Sequence, residues 1–168
     1  TLGRFRLGHV EQRGVTPTGS STVGSARLSG DVPKAVRDSF GRVAGEAFID
    51  AFYQSFLAAD PRIAPMFART DMTQQRRLLG DSLVHVLNFA AGDPQAKSKM
   101  ELLASTHSMD RLNVDPDFYA VWEDSLLETL QARDPQWNDR LETEWRNQLR
   151  PAIDLMTSRY GALELAHA

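Results

Sequence analysis

The chain of 168 residues contains no cysteine. This absence excludes a disulfide scaffold, a zinc–thiolate or iron–sulfur site, and a thiol nucleophile. Histidine is also scarce, with only His9, His85, His107 and His167 available. Any metal in this protein must therefore be held by nitrogen or oxygen ligands, and few histidines can contribute to its site.

The sequence also lacks a large excess of one charge and any long apolar run. Its 19 basic and 22 acidic residues leave a formal net charge of −3. This charge excludes the overall positive potential expected of a protein that binds nucleic acid or an anionic membrane surface. Uncharged apolar runs are only a few residues long, so no membrane-spanning segment or signal peptide is predicted. We expect a cytoplasmic protein with an ordinary core, since 42% of its residues are hydrophobic.

The first thirty residues differ in composition from the rest of the chain. Residues 16–25 are small, polar and turn-forming, which is typical of a linker. We predict an extension or linker over residues 1–31, a helical domain over residues 32–160 and a tail over residues 161–168. The extension carries several arginines and could dock on an acidic surface, but a tail with no role of its own is the favoured interpretation.

Beyond residue 31 the apolar residues recur at helical spacing. Asp31 is a good N-cap for the first helix, a longer helix is predicted over about residues 71–91, and Asp93-Pro94 opens the helix that follows. No period-two alternation or tight hairpin turn competes with this pattern. The sequence therefore predicts about six helices and an all-α domain.

Three polar residues lie on apolar faces of these predicted helices. Tyr53 belongs to a helix with an unusually wide apolar face, Gln75 shares a stripe with Leu79, and His107 follows Leu103 on one face. Taken singly, each is more often a satisfied core residue than a ligand, but buried polar groups need partners, so three together indicate a shared polar feature. One inward imidazole without cysteines or a carboxylate cluster suits haem, because the porphyrin supplies four of the iron ligands.

Four segments, in order and with compatible spacing, resemble the bacterial globins. Phe52–Phe67 resembles the B helix and C–D corner, and Thr70–Leu79 resembles the start of the E helix in the single-domain, flavohaemoglobin-like or sensor-globin branch. Leu103–His107 resembles the F helix with its proximal histidine, and Val114–Tyr119 resembles the Val-x-Pro-x-x-Tyr start of the G helix. The resemblance covers about residues 32–160 and implies a globin fold, which is a three-over-three helical sandwich.

The resemblance implies a haem b cofactor and a role for each matched residue. It makes His107 the proximal iron ligand, with the carbonyl of Leu103 accepting the second ring N–H. Phe67 becomes the aromatic wedge against the haem, and Leu79 the aliphatic ceiling over the gas ligand. Tyr119 matches a tyrosine on the proximal side of the haem. No residue is assigned a catalytic role.

The same resemblance implies Tyr53 and Gln75 as the distal pair. An O–H and an amide N–H slow the release of O₂, because the bound gas acquires partial negative charge and each hydrogen bond contributes about 1–3 kcal/mol when desolvated. Gln74 is the alternative to Gln75, and we favour Gln75 because it shares the apolar stripe. His85 lies about 15 Å further along the helix, so a five-coordinate haem with an open site is expected.

Two departures from the family bear on its activity. Tyr119 follows His107 by 119 − 107 = 12 residues, two more than in the flavohaemoglobin-like branch, which predicts a larger corner where Arg111 could pair with a haem carboxylate. Flavohaemoglobins that oxidise nitric oxide brace the proximal histidine through a tyrosine and a glutamate. Tyr160 falls near the position expected for that glutamate.

The resulting prediction is a haem globin that reversibly binds O₂, and also NO and CO, as an oxygen carrier would. An alternative is a nitric oxide dioxygenase or peroxidase. It would need an external reductase, because about 130 residues are taken by the globin and no Gly-rich dinucleotide fingerprint occurs. A third hypothesis is a non-haem helical sensor or interaction module, since fold alone does not fix function.

Overall fold

The computed structural model describes residues 27–108 and 111–161. Seven helices form in this part of the chain: α1 (Lys34–Val43), α2 (Glu46–Ala59), α3 (Ile63–Met66), α4 (Met72–Ala90), α5 (Pro94–His107), α6 (Asp117–Arg133) and α7 (Asp139–Gly161). No strand occurs within these ranges, so the prediction of an all-α domain is confirmed. No helix in them is both long and apolar enough to cross a bilayer. Most of the predicted extension and nearly all of the predicted tail lie outside the described residues.

Helices α4 and α5 begin where the sequence predicts. The carboxylate of Asp71 accepts two backbone N–H groups from the first turn of α4, at 2.9 and 3.2 Å. Asp93 accepts two from the first turn of α5, at 2.7 and 3.1 Å, and Pro94 is the first helical residue. These caps satisfy N–H groups that a helix start otherwise leaves unpaired. They also fix which faces of α4 and α5 turn inward.

The predicted cap at Asp31 is wrong. Helix α1 starts at Lys34, directly after Pro33, and no side chain caps it. Asp31 instead accepts a hydrogen bond from the hydroxyl of Ser29. Val32 is only 1% exposed, and it precedes Pro33, a position where the helical conformation is disfavoured, so the helix cannot begin directly after Asp31.

The helices pack in two layers of three, as predicted. One layer contains α1, α4 and α5, with α4 against α5, while the other contains α2, α6 and α7, with α6 between its neighbours. Across the layers, α7 contacts all three helices opposite and α2 contacts α4. The short α3 follows α2 and packs against it. Large side chains from both layers fill the core between them: Phe48, Phe52, Leu83, Leu87, Met100, Leu126, Trp145 and Leu149.

The chain upstream of α1 is fastened to α4 by the buried Asn88. The Asn88 side-chain oxygen accepts the backbone N–H of Ser29 at 2.8 Å, and its amide donates to the carbonyl of Arg27 at 2.9 Å. Both polar atoms of the buried Asn88 side chain are thereby paired, as the burial of polar groups requires. The packed body therefore includes residues 27–29 as well as the helices.

A buried polar network joins α1, α7 and the end of α6. Asp134 accepts a hydrogen bond from the hydroxyl of Ser39 at 2.7 Å and two from Arg42, both at 2.7 Å. The indole of Trp145 donates to the Ser39 hydroxyl at 3.0 Å. The Arg42 guanidinium holds the pKa of Asp134 down at about 2, against the opposing effect of burial.

Candidate ligand pocket

A largely apolar pocket lies between the two helical layers. The space not occupied by protein atoms, including the open solvent at the mouth of the pocket, is about 1380 Å³. Every site residue expected from the family resemblance lines this pocket: Tyr53, Phe67, Gln75, Leu79, Leu103, His107 and Tyr119. The fold thus brings together residues from α2, α4, α5, α6 and the corner after α3.

His107 is the last residue of α5 and is held by its own helix. Its ring Nδ1 lies 2.9 Å from the carbonyl oxygen of Leu103, one turn earlier. Because a carbonyl only accepts, Nδ1 carries the proton, and the neutral ring leaves Nε2 with a free lone pair. Burial lowers the pKa of His107 more than the bond to Leu103 raises it. The imidazole is therefore a neutral ring with one nitrogen available to a metal.

Tyr53 forms part of the pocket wall on α2 and is only 3% exposed. Phe67 packs against it edge to face, with ring centroids 6.1 Å apart. Burial raises the pKa of the Tyr53 hydroxyl, and this outweighs the hydrogen bond from Gln75 and the charge of Arg76, which both lower it. Tyr53 therefore stays protonated and keeps an O–H available for donation.

Gln75, and not Gln74, turns toward the pocket. The Gln75 side chain lies close enough to Tyr53 to lower the pKa of its hydroxyl and lines the wall, whereas Gln74 is exposed and does not line it. Leu79 follows Gln75 by one turn on the same face and is 8% exposed. The two side chains expected to form a distal pair are therefore in contact.

Two buried hydroxyls on the pocket wall have no hydrogen-bond partner among the described residues. They are the phenol of Tyr119, a residue only 9% exposed, and the hydroxyl of Thr70. Burial and the neighbouring Tyr160 raise the pKa of Tyr119 to about 12. Since buried polar groups rarely stay unpaired, these hydroxyls point to a pocket filled by a group that carries acceptors.

Haem fits this set of residues. The wall supplies one neutral imidazole and a large apolar surface, and no Asp, Glu, Lys or Arg in the described part of the chain lines it. Haem is apolar apart from its carboxylates and its metal, and these polar groups, or a ligand bound to the metal, are acceptors for the unpartnered hydroxyls of Thr70 and Tyr119. Sequence reasoning missed Thr70, because a single threonine in a loop belongs to no periodic pattern.

The corner between α5 and α6 is tied back to the end of α5. The backbone N–H groups of Arg111 and Asn113 donate to the carbonyl of Ser108 at 3.1 and 2.9 Å. The hydroxyl of Tyr160 donates to the Asn113 side chain at 2.9 Å. Arg111 is exposed and is not part of the pocket wall, so its pairing with a haem carboxylate stays a prediction.

Comparison with known proteins agrees with this fold and pocket. The globin family description matches residues 50–154. A solved structure from Pseudomonas aeruginosa PAO1, described as structurally highly homologous to a human hemoglobin, is 34% identical to this chain. The match covers 76% of this chain and 97% of that one, with a TM-score of 0.72. No significant match is found among curated proteins.

The chain belongs to the globin family. The predicted globin fold is confirmed by the family match and by the structural similarity. Membership of this family implies haem as the cofactor and a diatomic gas as the ligand.

Proposed function

We propose that the protein is a haem b globin that binds O₂ reversibly and also takes up NO and CO. The observation that carries this proposal is the neutral His107 ring in the same apolar pocket as the Tyr53–Gln75 pair. When bound, haem supplies an iron atom with an open coordination position.

Each pocket residue has a physical task in this proposal. His107 binds the iron through Nε2, and the Leu103 carbonyl keeps Nδ1 protonated and the ring oriented. Phe67 and its apolar neighbours exclude water, which strengthens every hydrogen bond inside the pocket. Tyr53 and Gln75 donate hydrogen bonds to a gas ligand that acquires partial negative charge, and so slow its release.

Absorption spectra of the haem-reconstituted protein test this proposal. We expect a Soret band that differs between the ferric, ferrous and CO-bound forms, and a marked loss or shift of this band in His107→Ala. Added imidazole should restore the band in that variant, because the free ligand fills the space left by the ring. His85→Ala is the matched control, since His85 lies outside the pocket wall and should leave the spectra unchanged.

Two results would overturn the proposal. A protein with no Soret band after reconstitution would favour a non-haem helical module. A His107→Ala spectrum identical to that of the wild type would remove His107 as the iron ligand.

Nitric oxide dioxygenase or peroxidase activity with an external reductase has less support from this pocket. A carboxylate acceptor makes a ligating imidazole more basic, but the second N–H of His107 goes to a neutral carbonyl. Tyr160, in place of the glutamate expected from nitric oxide-oxidising relatives, donates to Asn113. Stopped-flow mixing of the oxygenated protein with NO should give one stoichiometric conversion and no steady turnover when a reductase is added.

A further inference from the structure

An ion pair joins α2 to α4 beside the Tyr53–Gln75 pair. Arg76 Nε lies 2.7 Å from Asp50 Oδ1, which makes a contact between opposite charges, although the angles are not those of a hydrogen bond. Asp50 precedes Tyr53 by about one turn of α2, and Arg76 directly follows Gln75 on α4. Neither charged residue lines the pocket. The ion pair and the Tyr53–Gln75 pair therefore lie at neighbouring positions on the same two helices.

This ion pair is the only one between α2 and α4 among the described residues. The two helices belong to different layers and contact each other, and Arg76 lies in the second turn of α4 beyond the Asp71 cap. Any movement of the first turns of α4 relative to α2 changes the distance between the Gln75 amide and the Tyr53 hydroxyl. Hydrogen bonds weaken steeply when their distance or angle is poor. Small movements of α4 relative to α2 therefore alter the strength of the hydrogen bonds that Tyr53 and Gln75 donate to a ligand.

We propose that Asp50 and Arg76 are positioning residues whose ion pair sets the spacing between Tyr53 and Gln75, and thereby the rate of gas release. The proposal rests on the proposed gas-binding function. Their side chains are 53% and 42% exposed, so the pair contributes little to folding. Salt also weakens the attraction within the ion pair, because the screening length falls from about 8 Å at physiological ionic strength to about 3 Å at 1 M.

Arg76 acts on the pocket in a second way that the experiment must separate from positioning. Its charge reaches the Tyr53 hydroxyl directly. Exchanging the two charged residues keeps an ion pair between α2 and α4 but moves the positive charge to the other helix. Restored behaviour in the exchanged variant therefore reports positioning, whereas a persistent defect reports the charge of Arg76.

Stopped-flow measurement of O₂ release at low and high salt tests the inference. We expect Asp50→Asn and Arg76→Gln to speed release about two- to five-fold, in line with the modest coupling of exposed ion pairs, and to remove its salt dependence. The double variant Asp50→Arg/Arg76→Asp should return both readouts toward wild type. Arg140→Gln breaks an exposed ion pair with Glu144 on α7 and should change neither.

Unchanged release in both single variants overturns the inference, and so does an exchanged variant as fast as the single ones. A second measurement needs no haem, so it tests the inference even if the protein does not bind haem. The Soret band tests the proposed function itself. Hydrogen–deuterium exchange of the first turns of α4 in apoprotein should quicken by a similar factor in each single variant and recover in the exchanged one. Equal exchange in all of these proteins also overturns the inference.

Discussion

At the scale of single residues, the His107 ring is oriented by its own helix, because its side-chain hydrogen bond within the described residues goes to Leu103 in the last turn of α5. A carbonyl oxygen has two lone pairs, so that of Leu103 can accept the ring Nδ1–H as well as a helical N–H. The spacing of four residues places the two groups on one face. The tautomer and orientation of the ring therefore follow from the local geometry of the helix, in agreement with the acceptor that the globin resemblance implied.

The contact between Tyr53 and Gln75 predicts the behaviour of two variants. Tyr53→Phe and Gln75→Leu each remove one hydrogen-bond donor from a desolvated pocket, at a cost of about 1–3 kcal/mol. We expect O₂ release, followed by displacement with CO, to accelerate about 5- to 150-fold in each variant.

Gln74→Leu is the matched control for these variants, because Gln74 is exposed and lies outside the pocket. Its release rate should equal that of the wild type. A faster rate in Gln74→Leu together with an unchanged rate in Gln75→Leu would reverse the assignment.

At the scale of helices, local signals were sufficient for some boundaries and misleading for others. Asp71 and Asp93 cap α4 and α5 as predicted, because capping involves only residues two or three positions apart. Asp31 does not cap α1, because Val32 precedes Pro33, and a residue before proline is disfavoured from the helical conformation. The position of the proline relative to the aspartate, which differs from that in Asp93-Pro94, is therefore part of the cap signal.

The cap of α5 gives a prediction about stability. Asp93→Ala removes the acceptor for two backbone N–H groups at the start of the helix that ends in His107. We expect the free energy of unfolding to fall by about 1 kcal/mol, measured by urea denaturation of the apoprotein. Gln95→Ala is a suitable comparison, because Asp93 bonds only the backbone of Gln95, and it should stay close to wild type. Equal stability of Asp93→Ala and wild type would contradict the role of this cap.

At the scale of the whole molecule, contacts between distant parts of the chain escaped sequence analysis. Asp134 binds Ser39 and Arg42, which lie more than 90 positions away. The Asn88 clamp and the ion pair of Asp50 are also long-range, and no periodic pattern marks them. Apolar periodicity predicted the helices and the all-α class, because burial acts on whole helix faces, and the globin resemblance implied their two-layer packing. These polar pairings depend on the final tertiary arrangement.

The network around Asp134 predicts how stability depends on pH. Its pKa is about 2 in the folded protein, below the ordinary 3.8, so its contribution is fully present above about pH 4. That contribution, about 2 kcal/mol, is lost as pH falls from about 4 to 2, because in this range the unfolded chain takes up a proton on Asp134 while the folded protein still holds it ionised. Urea unfolding over this range should show Asp134→Asn less stable than wild type at pH 7, with a difference that shrinks toward pH 2.

Asp81→Asn removes an exposed carboxylate from α4 and serves as the control for the pH series. Its stability should follow that of the wild type throughout. A difference between Asp134→Asn and wild type that stays constant from pH 7 to pH 2 would show that the carboxylate charge of Asp134 does not stabilise the fold.

The Asn88 clamp also has a mechanical consequence. Asn88 and Gln75 lie on one continuous helix, 13 residues or about 20 Å apart. A tension applied to the chain upstream of Arg27 is transmitted through the two clamp hydrogen bonds into α4 before it reaches α1. The helix that bears this load first is the one that carries Gln75 and the ceiling residue Leu79.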